Sequence, residues 1–172
     1  MRRRDAIAAE IPRLRRYARA LTGDESEAED LVQDCLERAI SRIAQWRDDE
    51  SPRKWLLAIL HNLHVDGVRR RARRPLHVDL DKAEHVAAAP GSDSGSGRDL
   101  EAALRSLPGE QLQVVLLVGL EGLSYAEAAD VAGVPVGTVM SRLSRGRDRL
   151  RQLLGDGGDR QGGRTSPLRR IK

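Results

Sequence analysis

Charged side chains that could bind a macromolecule are concentrated in three segments of the chain. Residues 24–37 contain seven acidic side chains and no basic one, and residues 69–74 contain five arginines and no acid. Residues 136–154 contain five further arginines against the single acid Asp148. Arginine suits phosphate because its planar guanidinium can donate two hydrogen bonds to one anion. The two arginine segments therefore predict contacts with nucleic acid.

The acidic segment requires a different partner, because a row of carboxylates repels DNA. Its polar residues recur at helical spacing, opposite apolar positions of the same predicted helix. We expect this face, termed the acidic stripe, to bind a basic protein surface, with an ordinary solvated helix face as the alternative. The acidic stripe consists of Asp30, Gln33, Asp34 and Glu37.

The last arginine segment lies on a predicted long helix, termed the recognition helix. A shorter helix precedes it, with a capping-box pattern at Ser124 and Glu127, and a tight turn at 133–135 joins the two. This order predicts a helix-turn-helix whose second helix enters the major groove of DNA, although arginine-rich helices are often simply solvated. The predicted DNA-facing residues are Thr138, Ser141, Arg142, Arg145 and Arg149.

A second polar stripe follows the helix predicted to begin at Ser51 and Pro52. It combines an aromatic ring, an amide, a carboxylate and arginines, which are groups that stack on unpaired bases or hydrogen-bond to their edges. For the aromatic ring, packing in the core is the alternative. The residues are Trp55, Asn62, Asp66, Arg69, Arg70 and Arg73.

Other candidate chemistry is sparse. His61 and His64 stand three residues apart without a third metal ligand nearby, so we expect surface or interface histidines. Cys35 falls on the apolar face of its predicted helix, and a single cysteine excludes an internal disulfide. The sequence has no Walker loop, no GxSxG elbow and no zinc signature, so it predicts neither an enzyme nor a cofactor.

The composition predicts an all-α fold. Of 172 residues 40% are hydrophobic, but two Trp, two Tyr and no Phe leave Leu, Val, Ile and Ala to build the core. Polar segments rich in Gly and Ser predict a flexible linker over 75–98 and a disordered tail over 155–172. No apolar run is long enough to enter a membrane or to act as a signal peptide, so we expect a cytoplasmic protein.

Two helical modules remain, over residues 6–74 and 99–154. In the first we expect three helices, of which the first is well formed only from about Pro12 and the second is capped by Ser26 with Glu29. In the second module we expect four helices, including the helix-turn-helix.

Sequence patterns in both modules match one known family. They occupy residues 17–24, 28–34 and 55–70 in the first module, and 107–108, 121–129 and 133–145 in the second. In this order they closely resemble regions 2 and 4 of the extracytoplasmic-function (ECF) sigma factors, which belong to the sigma-70 family. Met140 departs from the pattern, because many relatives carry a basic residue there.

The resemblance implies a promoter-specificity subunit that binds the β′ and β subunits of core RNA polymerase and promoter DNA. By family likeness, the acidic stripe docks on the coiled coil of β′. The stripe that contains Asn62 and Asp66 meets the −10 element, and the recognition helix reads the −35 element as duplex. An anti-sigma factor is expected to cover the acidic stripe and the recognition helix.

Two other functions are compatible with parts of the sequence. A stand-alone helix-turn-helix regulator needs only residues 99–154 to bind DNA. A sigma mimic, which titrates an anti-sigma factor, binds that inhibitor and starts no transcription. Neither alternative explains both arginine segments and the acidic stripe together.

Overall fold

A computed structural model describes residues 3–47, 50–73 and 95–158 of the chain, and its regular elements are all helical. A 3₁₀ turn at Ile43–Gln45 follows the second helix, and a π-helical turn at Leu116–Leu120 follows the fifth. The predicted all-α fold is confirmed. The helices are α1 (Arg3–Thr22), α2 (Glu25–Ser41), α3 (Pro52–Arg73), α4 (Gly95–Arg105), α5 (Gly109–Val115), α6 (Tyr125–Ala132) and α7 (Val136–Gly158).

The first three helices pack around a shared apolar core that includes Tyr17, Leu56 and Cys35. Two expectations about their starts are wrong. The α1 helix begins nine residues before Pro12, because the buried side chain of Ile7 anchors its first turns. The cap of α2 is Asp24, whose Oδ1 accepts a hydrogen bond from the Glu27 amide at 2.7 Å and so satisfies a free helix-end donor.

The helix-turn-helix is present in the second module. Ser124 Oγ accepts from the Glu127 amide at 3.2 Å, and Glu127 Oε2 accepts from the Ser124 amide at 2.8 Å, which confirms the predicted capping box. Gly133 ends α6 with φ +65°, a conformation that glycine adopts without a steric cost. The following α7 buries Val139 and Leu143 against the module core.

The predicted linker and tail are shorter than expected at one end each. Residues 95–98 form the first turn of α4, and residues 155–158 continue α7. Glycine weakens a helix by about 1 kcal/mol, but unlike proline it does not remove the backbone donor, so both helices can extend through glycines. The other residues of both predicted segments, 75–94 and 159–172, lie outside the described residues.

The two modules pack against each other and share one apolar core. Helix α3 lies against α6, and α1 lies against the π-helical turn. Ion pairs between described residues also join them: Arg16 Nη2 lies 3.1 Å from Glu121 Oε1, and Lys54 Nζ lies 2.6 Å from Asp130 Oδ2. The sequence alone left this arrangement open. No helix in the described part of the chain has both the length and the apolar character needed to cross a bilayer.

Candidate polymerase and nucleic-acid interfaces

The four residues of the acidic stripe are exposed along one face of α2, while the opposite face is buried in the core. Within the stripe, Gln33 Nε2 donates to Glu37 Oε1 at 3.2 Å. Asp30 and Asp34 form no ion pair with any described residue. The stripe therefore presents two carboxylates that are free to bind a basic partner.

The other acids of the same segment are used inside the module, which the sequence did not indicate. Glu25 pairs with Arg19 at 2.8 Å, Glu29 pairs with Arg15 at 3.0 Å, and Glu27 forms an ion pair with Arg71. These pairs tie α2 to α1 and α3. The acidic segment thus divides into acids that hold the helices together and acids that face solvent.

Most residues of the predicted polar stripe lie together on the exposed surface of α3. Asn62, Asp66 and the arginines at 69, 70 and 73 are exposed over the last three turns of the helix. A groove between α2 and α3 is lined by Asp34 of the acidic stripe and by Arg70. The two predicted binding surfaces therefore meet at one groove.

Trp55 is separated from the rest of that stripe. It lies about two helical turns before Asn62 and is half-buried. Its ring stacks on Trp46, with centroids 5.8 Å apart and an interplanar angle of 14°. Trp46, which the sequence analysis did not single out, is fixed because its Nε1 donates to the Glu50 carbonyl at 3.0 Å. One face of the Trp55 ring is thus covered by protein, as the core alternative predicts.

The recognition helix presents its predicted residues unequally. Ser141, Arg145 and Arg149 are exposed, and neither arginine forms an ion pair within the described residues. Thr138 is half-buried. The side chain of Arg142 is only 20% exposed, and its Nη2 lies 2.8 Å from Glu110 Oε2 of α5. The structure therefore leaves two of these arginines free for phosphate and commits the third largely to its own module.

Several polar groups are buried close to the contact between the modules. His61 is 4% exposed and its Nδ1 has no hydrogen-bond partner among the described residues. Burial, assisted by the positive charges of His64 and Arg142, lowers the pKa of His61 to about 4. Burial, followed by the nearby charge of Glu121, raises the pKa of Tyr17 above its usual value. His61 is therefore an interface histidine held in its neutral form.

Cys35 is a core residue, as predicted. Its side chain is buried, its Sγ lies 3.5 Å from the Leu56 carbonyl oxygen, and burial raises the pKa of the thiol to about 12. The thiolate that cysteine chemistry requires is thus strongly disfavoured. Among the described residues, no group of three His, Cys, Asp or Glu side chains is placed to hold a metal ion.

Family models match both modules. Residues 7–61 match the sigma2 domain of PhyR, and residues 97–150 match sigma-70, region 4. The chain is 38% identical over 152 residues to the ECF RNA polymerase sigma factor EcfG of Rhodopseudomonas palustris, covering 88% of this chain and 84% of that protein. It is 40% identical over 156 residues to SigE of Mycolicibacterium smegmatis, covering 87% of this chain and 60% of that relative.

A solved structure has the same architecture. The sigma factor RpoE of Bartonella quintana, in complex with the anti-sigma factor NepR, matches with a TM-score of 0.78 and 34% sequence identity, over 88% of this chain and 96% of that one. These matches extend across both modules. The chain belongs to the ECF RNA polymerase sigma factors, the family that the sequence patterns resemble.

Proposed function

We propose that this protein binds core RNA polymerase through the acidic stripe and directs it to promoters through α3 and α7. The observation that carries the proposal is the division of the acidic segment: Asp30 and Asp34 face solvent with no ion partner among the described residues, while their neighbours are paired internally. An unpaired row of carboxylates on a helix fixed by its core favours a basic protein surface. The protein then acts as a cytoplasmic specificity subunit and not as an enzyme.

The two DNA contacts have different chemistry. The exposed Asn62, Asp66 and arginines of α3 suit unpaired bases of the −10 element, because the Watson–Crick edges that amide and carboxylate groups can hydrogen-bond are accessible only where the strands are open. Arg145 and Arg149 of α7 suit phosphates of the −35 duplex. Each contact alone is weak, and joining them in one chain raises the effective concentration of the second contact at a correctly spaced promoter.

Multi-round transcription with core polymerase tests these roles. The double variant Asp30→Arg/Asp34→Arg should lose polymerase binding and initiation. The matched control Asp5→Arg/Asp99→Arg makes the same change in net charge at exposed positions of α1 and α4, and it should retain both activities. If the control fails as completely as the stripe variant, general charge is responsible and the assignment of the stripe is wrong.

A second pair of variants tests the DNA contact. Arg145→Ala/Arg149→Ala should keep polymerase binding but weaken binding of the −35 duplex about equally for all sequences, with a smaller salt dependence. Arg4→Ala/Arg13→Ala removes two exposed arginines from α1 and should leave duplex binding unchanged. Specific DNA binding by the chain without polymerase, together with no initiation, would instead support a stand-alone regulator.

We also propose control by an anti-sigma factor. The neighbouring RpoE structure was solved with the anti-sigma factor NepR, and this chain offers the same fold with two exposed charged surfaces. The sigma mimic remains the second candidate, because residues 7–61 match a domain of PhyR, which is described in its own structure as an anti-anti-sigma factor. Initiation by the wild-type chain with core polymerase excludes a pure mimic, and capture of the inhibitor without initiation supports one.

A further inference from the structure

Met140 is the large apolar side chain most open to solvent among the described residues, at 53% exposure, and it lies on the recognition helix. At 100° per residue, Met140, Ser141 and Arg145 fall within an arc of about 140° on α7. This arc points away from the buried Val139 and Leu143. Met140 is therefore on the outward side of the helix, at one end of the exposed arc that also contains Ser141 and Arg145.

The residues around Met140 leave it accessible at that face. Ser144 is small and exposed, and one turn earlier Gly137 has no side chain and has open space around its Cα. The Ser141 hydroxyl donates to the Thr138 carbonyl at 3.0 Å, so its proton is already used within the helix. Arg142 forms an ion pair with Glu110 and does not cover Met140. The thioether side chain of Met140 thus projects from the first two turns of α7, which is the part of a recognition helix that meets base edges when the helix lies in the major groove.

We infer that Met140 contacts the C5-methyl group of a thymine in the −35 element and so contributes to its selection. The thymine methyl is the apolar group that base pairs present in the major groove, and it is the complement of an exposed apolar side chain there. Continuity with Ser141 and Arg145 on the same face places the contact inside the proposed DNA-binding surface. The inference rests on the proposed function, since it requires α7 to lie in the groove.

The test removes the methyl group from the DNA. A −35 duplex is selected by the holoenzyme from a randomised library, and each thymine in it is then replaced singly by deoxyuridine, which changes no hydrogen bond. Wild-type holoenzyme should bind the duplex about fourfold more weakly after replacement at one position, the loss expected for one buried methyl group. A selected element without thymine on either strand would overturn the inference, as would equal binding at every position.

Protein variants then assign the effect to Met140. Met140→Gln, of similar length but polar at its end, should bind thymine and uracil duplexes equally, whereas Met140→Leu should keep the preference for thymine. Leu153→Gln changes another exposed apolar residue of α7 and should also keep it. A preference for thymine that survives in Met140→Gln refutes the contact. Weaker capture of an anti-sigma factor with an unchanged thymine preference would assign the residue to a protein interface and overturn the inference.

The same duplexes separate this inference from the proposed function. If Arg145→Ala/Arg149→Ala weakens binding of the −35 duplex while deoxyuridine has no effect, only the role of Met140 is refuted. If both arginine substitutions leave duplex binding unchanged, α7 does not contact the −35 element, and the proposed function itself fails at this point.

Discussion

Replacing Arg16 with alanine should loosen the packing of the two modules, because it leaves a buried carboxylate without its cation. The Glu121 side chain is fully buried, and its Oε1 lies 3.1 Å from Arg16 Nη2. Its Oε2 already lacks a hydrogen-bond partner within the described residues. Arg16 also donates to the Leu120 carbonyl at 3.3 Å. One substitution therefore removes both bonds that Arg16 makes across the contact between α1 and the π-helical turn.

The size of the effect follows from the unequal burial of the two partners. Breaking a fully buried pair costs about 3–5 kcal/mol. Arg16 is 55% exposed, so water already screens the attraction, and we expect Arg16→Ala to cost about 1–3 kcal/mol. Glu121→Leu should lower the free energy of unfolding by less than Arg16→Ala does, because it leaves unpaired only a half-exposed cation that water can solvate. The double variant Arg16→Ala/Glu121→Leu should be more stable than the sum of the single effects predicts.

Urea unfolding of the full chain, followed by circular dichroism, measures these free energies. Arg151→Ala is the control, because its contact with Asp148 at 2.7 Å lies within α7 and both side chains are exposed. That control should change stability by less than about 0.5 kcal/mol. The reasoning is refuted if Arg16→Ala is as mild as Arg151→Ala, or if the double variant shows simple additivity.

Three further predictions concern stability. Burial lowers the pKa of His61 to about 4 from 6.5, so the unfolded chain takes up a proton there before the folded chain does. The contribution of neutral His61 to the free energy of unfolding is therefore complete above about pH 6.5, and at most about 3 kcal/mol of it is lost as the pH is lowered to 4. Urea titrations at several pH values should show a weaker dependence of stability on pH for His61→Gln than for the wild type. Gly146→Ala should cost about 1–2 kcal/mol in chemical unfolding, because its Cβ would lie 2.8 Å from Val115 Cγ2, whereas Gly137→Ala on the same helix has open space and should be neutral or stabilising. Ser124→Ala should cost about 1 kcal/mol by loss of the cap, seen as a lower Tm, and Ser124→Asp should recover most of it.

The helices were predictable where a short sequence signal decides the structure. The capping box at Ser124, the turn at Gly133 and the start of α3 after Ser51 all depend on residues within one or two turns. The cap of α2 was misplaced because Asp24 and Ser26 are both good caps and only the geometry selects between them. The early start of α1 depends on the tertiary burial of Ile7, which no local pattern reports.

The partners of charged residues were not predictable, because they are distant in sequence. The pairing of Arg71 with Glu27 and of Arg16 with Glu121 joins residues that are distant in sequence and lie on different elements or loops, so composition could not separate structural acids from free ones. The stack of Trp55 on Trp46 likewise joins residues nine positions apart, one of which precedes α3 and lies outside any helix. Spacing indicates which side chains share a helix face, but not which of them form ion pairs or ring contacts with other parts of the fold.

This distinction changes how the recognition helix should be understood. Arg142 and Arg145 look equivalent in sequence, since both follow the turn at helical spacing and both are arginines. In the structure Arg142 pairs with Glu110 and is mostly covered, whereas Arg145 is exposed. Moving Arg142 to a phosphate would first require its ion pair to break, so its net gain on binding is smaller than that of a free arginine. Each of the free arginines should therefore contribute more to DNA binding than the arginine closest to the turn.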